Sequence, residues 1–386
     1  MALKLSPTQA ALCDAARRFA TAELPDLART IEAQDVPVSR EWRQRYADLG
    51  FLGVNLPERY GGLGLGHFEA LLVLEEFAKI SCAVAFPVFE SATGPVRTIV
   101  EFASETLKER IVPRVVRGEI VVAVSMSEPD AGTALTDLST TARIVGDAII
   151  LNGQKRWCSG GGHADAYVVY CRLSDAPGAA GIGAVLVEAG TPGLSFGRPE
   201  ELMGLRGVGS SDIYLDDVRV PVDNLIVPAG GFGKLMHAFS LERCGNATMA
   251  LATASATLEE AVAYTSDRRQ FGKPIVEFQA VQLKLADMAL QVEAARALIW
   301  SAAINAGDAL PDPAESSLAK CFANQIVRDV TSSGIQLLGG YGYSREYAME
   351  RRLRDAFAWG IAGGTIDIQK VNIAASLVGR RFNQRA

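Results

Sequence analysis

The chain has 386 residues, 49% hydrophobic and 21% charged, which suits a globular protein of two or three domains with a large core. Its net charge of −6, with acidic and basic residues interspersed, argues against nucleic acid as the main partner and against a basic membrane-binding face. No apolar run is long enough to span a bilayer, and the opening Met-Ala-Leu-Lys-Leu-Ser-Pro leads into no apolar core of a signal peptide. Cysteines at Cys13, Cys82, Cys158, Cys171, Cys244 and Cys321 form no Cys-x-x-Cys pair, and His67, His163 and His237 share no metal-ligand spacing. Neither a metal nor a disulfide framework is expected, and a reducing cytoplasm is the simplest setting.

Helical periodicity runs from Ser6 to about Gly118 and predicts an all-helical first domain over residues 1–119. Ser6-Pro7 is a helix start, with proline at an early position. Further helices are expected over 40–49, 67–80, 85–102 and from Ser104 onward, with a glycine-broken loop over 50–66. Near Ile120 the period changes. Short β-branched runs at 120–125, 142–145, 148–153, 166–171, 182–187 and 213–220 predict a β-barrel or sandwich over 120–229. Gly146-Asp147 marks a hairpin. From Gly230 the helical period returns, with long alanine-rich helices expected over 232–265, 276–306, 313–338 and 346–376. Four such helices with short connections read as an antiparallel bundle over 230–386, making the whole an α+β multidomain chain.

Several strings carry chemistry. Paired glycines at Gly339-Gly340 and Gly363-Gly364 let backbone approach a ligand closely, and Thr365 and Asp367 follow at a helix start, where free N–H groups suit an anion. Trp157 in Gly153-Gln-Lys-Arg-Trp-Cys-Ser-Gly160 offers a face for a flat aromatic ligand. Arg268 and Arg269 precede Gln-Phe-Gly-Lys-Pro-Ile275, and their guanidinium groups are permanently charged and forked, the plain reading being a solvated helix end.

Taken with Ser125-Met-Ser-Glu-Pro-Asp-Ala-Gly-Thr133, Met203-Gly-Leu-Arg-Gly207 and Gln336-Leu-Leu-Gly-Gly-Tyr-Gly-Tyr343, these strings resemble the acyl-CoA dehydrogenase family over nearly the whole chain. The resemblance implies FAD. Met126, Ser127, Trp157 and Ser159 would contact the flavin ring, and Thr133 would lie between ring and thioester. Arg268, Gln270, Phe271 and Gln279 would face the pyrophosphate of a neighbouring subunit's FAD. Gln336 and Gly340 would meet the adenosine half, with Thr365 and Asp367 completing the cofactor site. It further implies an acyl-CoA or acyl-carrier thioester as substrate, an electron-transfer flavoprotein as acceptor, and a homo-oligomer that is a dimer of dimers.

One position departs from the pattern. Where the family carries its catalytic glutamate this chain has Gly363, whose N–H could still hold the thioester oxygen. Glu242, in Ser240-Leu-Glu-Arg243, is similar to the base of the isovaleryl-CoA and long-chain subgroup and stands 26 residues (268 − 242) before Arg268. Glu242 is therefore expected to be the α-proton base, with Ser240, Arg243, Gly363 and Thr133 at the substrate. The plainer alternative is that Glu242 pairs with a nearby arginine. Glu90 is read as helix packing, with contact to a polar acyl group as its alternative. The rival functions are a non-oxidative enzyme resembling 3-sulfinopropionyl-CoA desulfinases, a flavin monooxygenase, and an inactive partner subunit.

Overall fold

The computed structural model describes residues 4–383; Met1-Ala-Leu of the leader reading lies outside them. The N-terminal helices are α1 (Pro7–Gln34), α2 (Arg40–Asp48), α3 (His67–Ile80), α4 (Cys82–Ala92), α5 (Pro95–Phe102) and α6 (Glu105–Val116). Helix α1 opens on a reciprocal cap, in which Ser6 Oγ accepts from the Gln9 N–H and Gln9 Oε1 accepts from the Ser6 N–H. The single helix expected over 85–102 is two. Pro95 lacks an N–H to continue the ladder and disfavours helical backbone at Gly94, so α4 ends at Ala92 and α5 restarts at Pro95.

The middle region forms, among the described residues, one eight-stranded sheet: β1 (Val122–Ser125), β2 (Thr141–Val145), β3 (Ala148–Ser159), β4 (Ala166–Arg172), β5 (Ile182–Glu188), β6 (Leu194–Phe196), β7 (Ser210–Pro221) and β8 (Leu225–Val227). The strand order is β6-β7-β3-β2-β4-β5-β8, with β1 paired in parallel to β4. Val145 pairs with Ala148 across the Gly146-Asp147 turn, where Gly146 takes φ +63°. Strand β4 is buried on both faces. Ala166, Val168 and Tyr170 pack with residues of α5 and α6, while Tyr167, Val169 and Cys171 face the opposite cluster with β3 and β7. Strands β6 and β8 have three residues each, too few for an alternation to show in sequence.

The C-terminal region contains α7 (Phe232–Asp267), the short ribbon β9 (Arg269–Gln270) and β10 (Lys273–Pro274), α8 (Gln279–Ala306), α9 (Pro313–Leu338), α10 (Gly340–Tyr343), α11 (Met349–Trp359) and α12 (Ile366–Val378). Helix α7 packs against α3, α8 and α9 and is buried almost all round between Leu235 and Ala261, so one apolar core joins the N-terminal helices to the bundle. The fourth long helix expected over 346–376 is instead α11 and α12. Gly363 (φ +64°) and Gly364 (φ +89°) are left-handed, which stops one helix, and Thr365 caps the next by accepting from the Ile368 N–H at 3.3 Å. The second helix of the bundle begins at Gln279 rather than at 276, because residues 275–277 form a separate 3₁₀ turn. No described helix is long and apolar enough to cross a membrane.

Candidate functional site

The break between α11 and α12 lies directly against α7. A Cβ placed on Gly363 would stand 3.6 Å from Glu242 Oε1 and 3.5 Å from Phe239 Cζ. The Glu242 carboxyl therefore comes up from α7 to the place where a side chain at 363 would begin. It is partly exposed and, among the described residues, makes no ion pair and accepts no hydrogen bond, so the pairing with an arginine does not form. Burial of the carboxyl pushes it up to about 8, with Lys320 and Arg243 pulling it back down.

Lys320 and Asn324 rise from α9 on the far side of the same turn. Lys320 is fully buried, and its Nζ donates to Trp359 O at 3.2 Å and Ala362 O at 2.8 Å. Asn324 Nδ2 donates to Trp359 O at 2.6 Å and Asn246 Oδ1 at 2.9 Å. Burial lowers the Lys320 ammonium to about 7, the nearby Glu242 opposing that shift. Lys320 was missed by sequence reasoning. The available signal was its phase: Ser316, Ala323 and Val327 share its buried face, where a lysine is out of place unless partnered.

Arg243 donates to Ser240 Oγ at 3.2 Å and lies 5.7 Å from the Phe239 ring centroid, while its Nε is buried without an acceptor. Ser240 is wholly buried and so supports Arg243 from beneath. Glu90, on α4, is also buried, and its Oε2 has no partner; burial, then the charge of Glu242, raises its carboxyl well above the usual range. Glu90 and Glu242 thus bring two unpaired carboxyls within electrostatic reach of each other.

The second group of expected residues lies on the middle sheet. Lys155, fully buried, donates to Met126 O at 3.0 Å and to Glu128 Oε1 at 2.8 Å. Glu128 also accepts from the N–H and Oγ of Ser139 and from the Thr140 N–H. Burial works against its ionisation, but Lys155 and these donors hold the Glu128 carboxyl down at about 2. The loop carrying Met126 and Ser127 is fixed in this way, and Ser127 O accepts from the Arg156 N–H at 2.9 Å. Between Lys155 and Cys158 the β3–β7 register shifts, and at that bulge Trp157 sits at φ +58°, an unusual conformation for an aromatic residue. The bulge turns the indole outward, 55% exposed, with the Arg156 guanidinium 4.3 Å from its ring. Ser159 resumes the ladder opposite Ser210, and Thr133 is exposed on the β1–β2 loop.

A third group lies elsewhere. Arg268 is 26 residues beyond Glu242 (268 − 242), about 39 Å along a helix rising about 1.5 Å per residue. There it packs 5.9 Å from the Tyr341 ring, beside exposed Gln270, Gln279, Gln336 and Gly340. Phe271 is 93% exposed at φ +51°. One chain therefore does not bring these residues to Glu242 and Trp157. Thr365 and Asp367, at the start of α12, lie with the Glu242 group.

The residues suit a flat, anionic cofactor. Trp157 presents an exposed aromatic ring from a backbone that strands seldom adopt, and the N–H groups of Gly363 and Gly364 donate to no acceptor among the described residues.

Sequence profiles of three families cover the chain: "Acyl-CoA dehydrogenase, N-terminal domain" over 6–119, "Acyl-CoA dehydrogenase, middle domain" over 123–218 and "Acyl-CoA dehydrogenase, C-terminal domain" over 229–378. A 3-sulfinopropanoyl-CoA desulfinase of Cupriavidus necator is 36% identical over 366 residues, 92% of each chain. A cyclohex-1-ene-1-carbonyl-CoA dehydrogenase of Syntrophus aciditrophicus is 36% identical over 380 residues, 97% of this chain and 91% of that one. Among solved structures, butyryl-CoA dehydrogenase from Megasphaera elsdenii superposes with a TM-score of 0.93 at 33% identity, covering 98% of this chain and all 100% of its own. An FAD complex of PigA superposes with a TM-score of 0.92 at 28% identity, covering 98% of this chain and 99% of its own.

Proposed function

The chain belongs to the acyl-CoA dehydrogenase family of FAD-dependent enzymes, and from that premise we propose that it desaturates an acyl thioester between its α and β carbons, with Glu242 as the α-proton base. FAD supplies the acceptor for the hydride that leaves the β carbon. The observation that carries the reading is the Glu242 carboxyl beneath Gly363, 3.6 Å from where a Cβ there would lie. A glycine at 363 keeps that volume open for a carboxyl arriving from α7.

The remaining roles follow from placement. The Gly363 N–H holds the thioester oxygen, and negative charge drawn onto that oxygen acidifies the α-proton. A base near neutrality is effective, because it is substantially ionised yet binds a proton readily. Arg243, held by Ser240, keeps positive charge beside Glu242 without neutralising it. Met126, Ser127, Trp157 and Ser159 form the wall for the flavin ring, with Thr133 at its edge. Thr365 and Asp367 complete the cofactor site. Arg268, about 39 Å from Glu242 by helix rise, serves the FAD of a neighbouring subunit together with Gln270, Phe271, Gln279, Gln336 and Gly340, which makes the enzyme an obligate homodimer assembled as a dimer of dimers. An electron-transfer flavoprotein takes the electrons onward, the setting is cytoplasmic fatty acid metabolism, and the thioester is carried by CoA or by a carrier protein.

A second reading, non-oxidative release of sulfite from a sulfinate-bearing acyl-CoA, is favoured by the 36% identity to a desulfinase. Against it, the acyl-facing stretch Ala83–Glu90 carries no arginine or lysine for a sulfinate, and Glu242 is present as a base. The test is a panel of acyl-CoAs mixed anaerobically with the FAD-loaded protein, followed by absorbance and by product mass. Flavin bleaching with loss of two hydrogens is the expected outcome. Sulfite release without bleaching replaces it with desulfination. Oxygen uptake by the reduced protein with an oxygenated product supports a monooxygenase, and stoichiometric FAD that no thioester bleaches supports an inactive partner subunit.

A further inference from the structure

Lys320 is a fully buried amine that the proposed reaction does not itself require. Both its hydrogen bonds go to backbone carbonyls, Trp359 O at 3.2 Å and Ala362 O at 2.8 Å, and among the described residues it makes no ion pair. A structural anchor could be built from a neutral donor, as Asn324 is at the same Trp359 carbonyl. A lysine in this position needs a further reason, because burying an ammonium carries a large desolvation cost.

The reason lies in the peptide that Lys320 touches. Ala362 C=O and Gly363 N–H belong to one peptide unit. That unit is planar and trans, so the N–H points away from the carbonyl, on the side opposite Lys320. The Gly363 N–H donates to no acceptor among the described residues, and Gly363 has no side chain to cover it. Lys320 donating to the carbonyl oxygen, most strongly in its ammonium form, draws electron density through the amide and makes the N–H a stronger donor, since hydrogen bonds in series polarise one another. The same contact fixes the plane of the peptide, which the left-handed glycines at 363 and 364 would otherwise leave free to rotate.

We infer that Lys320 is a positioning residue for the substrate's thioester oxygen, acting through the Ala362–Gly363 peptide to aim and strengthen the Gly363 N–H. It touches neither substrate nor cofactor. As the α-proton leaves, its electron pair delocalises onto the thioester oxygen to form an enolate. The aimed donor stabilises that charge where it develops, and no oxidant is needed for this half of the reaction. The inference rests on the thioester reading of the site but not on Glu242 being the base.

The test uses FAD-loaded enzyme and acetoacetyl-CoA, a thioester acidic enough to enolise without hydride transfer, and follows the near-ultraviolet band of the bound enolate against pH. Lys320→Met is expected to raise the apparent enolisation pKa by about one unit, a tenfold loss of enolate stabilisation, with FAD content unchanged. Lys320→Arg should restore most of the effect, and Lys320→Gln, which keeps a donor but not the charge, should fall between. Where Lys320→Met fails to hold FAD, the Gln variant decides, because it preserves a hydrogen bond to the turn. FAD-replete Met or Gln variants that enolise the probe at the wild-type pH overturn the inference. Glu242→Gln should still bind the enolate. An enolate band absent from wild type and Glu242→Gln alike overturns the thioester reading and this one with it.

Discussion

Glu128 and Glu242 each lie near a fully buried lysine, Lys155 and Lys320, yet the two carboxyls are pushed in opposite directions. At Glu128 the ammonium is in contact at 2.8 Å, and three further donors from Ser139 and Thr140 saturate the carboxylate. At Glu242 the lysine spends its bonds on Trp359 and Ala362, and no described residue donates to the carboxyl. Full hydrogen bonding makes Glu128 a permanent anion that pins the loop of Met126 and Ser127. Proximity of charge without contact leaves Glu242 able to take a proton near neutrality. Burial penalises both groups, and the presence or absence of donors decides the outcome.

That contrast can be broken most severely at the base. Glu242→Gln should lower the rate of substrate-driven flavin reduction by about 10²–10⁴-fold, without lowering the thermal midpoint, because it replaces an unpaired acid with a neutral isostere. Glu128→Gln or Lys155→Met should do the reverse. Each strands one member of a buried pair, and chemical denaturation should register a loss of about 3–5 kcal/mol.

The pH responses should diverge as well. Glu242 is ionised above its raised value, so single-turnover flavin reduction should rise as pH increases through about 8. The Glu128 carboxyl is depressed to about 2, below its value in the unfolded chain. Its contribution to stability is therefore full above that unfolded value and is lost as pH falls toward 2, which acid titration of the Lys155→Met variant against wild type should show as a reduced slope. The smallest effect is expected at Glu90. Burial raises its carboxyl well above the usual range and favours the neutral form, so Glu90→Gln should change the rate on an uncharged acyl chain by less than about threefold.

The strings that mark this fold were legible because each depends on backbone that only particular residues tolerate. The glycines of the turn at 363–364 and the Gly146-Asp147 hairpin are of this kind, and so is the helix start at Ser6-Pro7. Helix phase likewise revealed α7 and α9. What the pattern concealed were interruptions. Helical sequence flanks 360–365 and 93–94 so closely that α11–α12 and α4–α5 read as single helices, although a glycine pair and Pro95 divide them. The candidate site was legible at Glu242, through its local string, but not at Lys320. Its helix phase, shared with Ser316, Ala323 and Val327, marks Lys320 as buried, but only the fold brings it behind the Ala362 carbonyl. The distance between Arg268 and Glu242 was available as a count of residues, but its meaning came from α7 being one continuous helix.

The central claim is that Glu242 takes the proton that a side chain at 363 would otherwise take. It is tested most directly by mixing wild-type and Glu242→Gln protein, matched for bound FAD, anaerobically with the acyl-CoA that best bleaches the wild type. The account predicts that the wild-type flavin loses its visible absorbance as the acyl group loses two hydrogens, while the Gln variant binds the same thioester and stays oxidised. Bleaching of the Gln variant at the wild-type rate contradicts it.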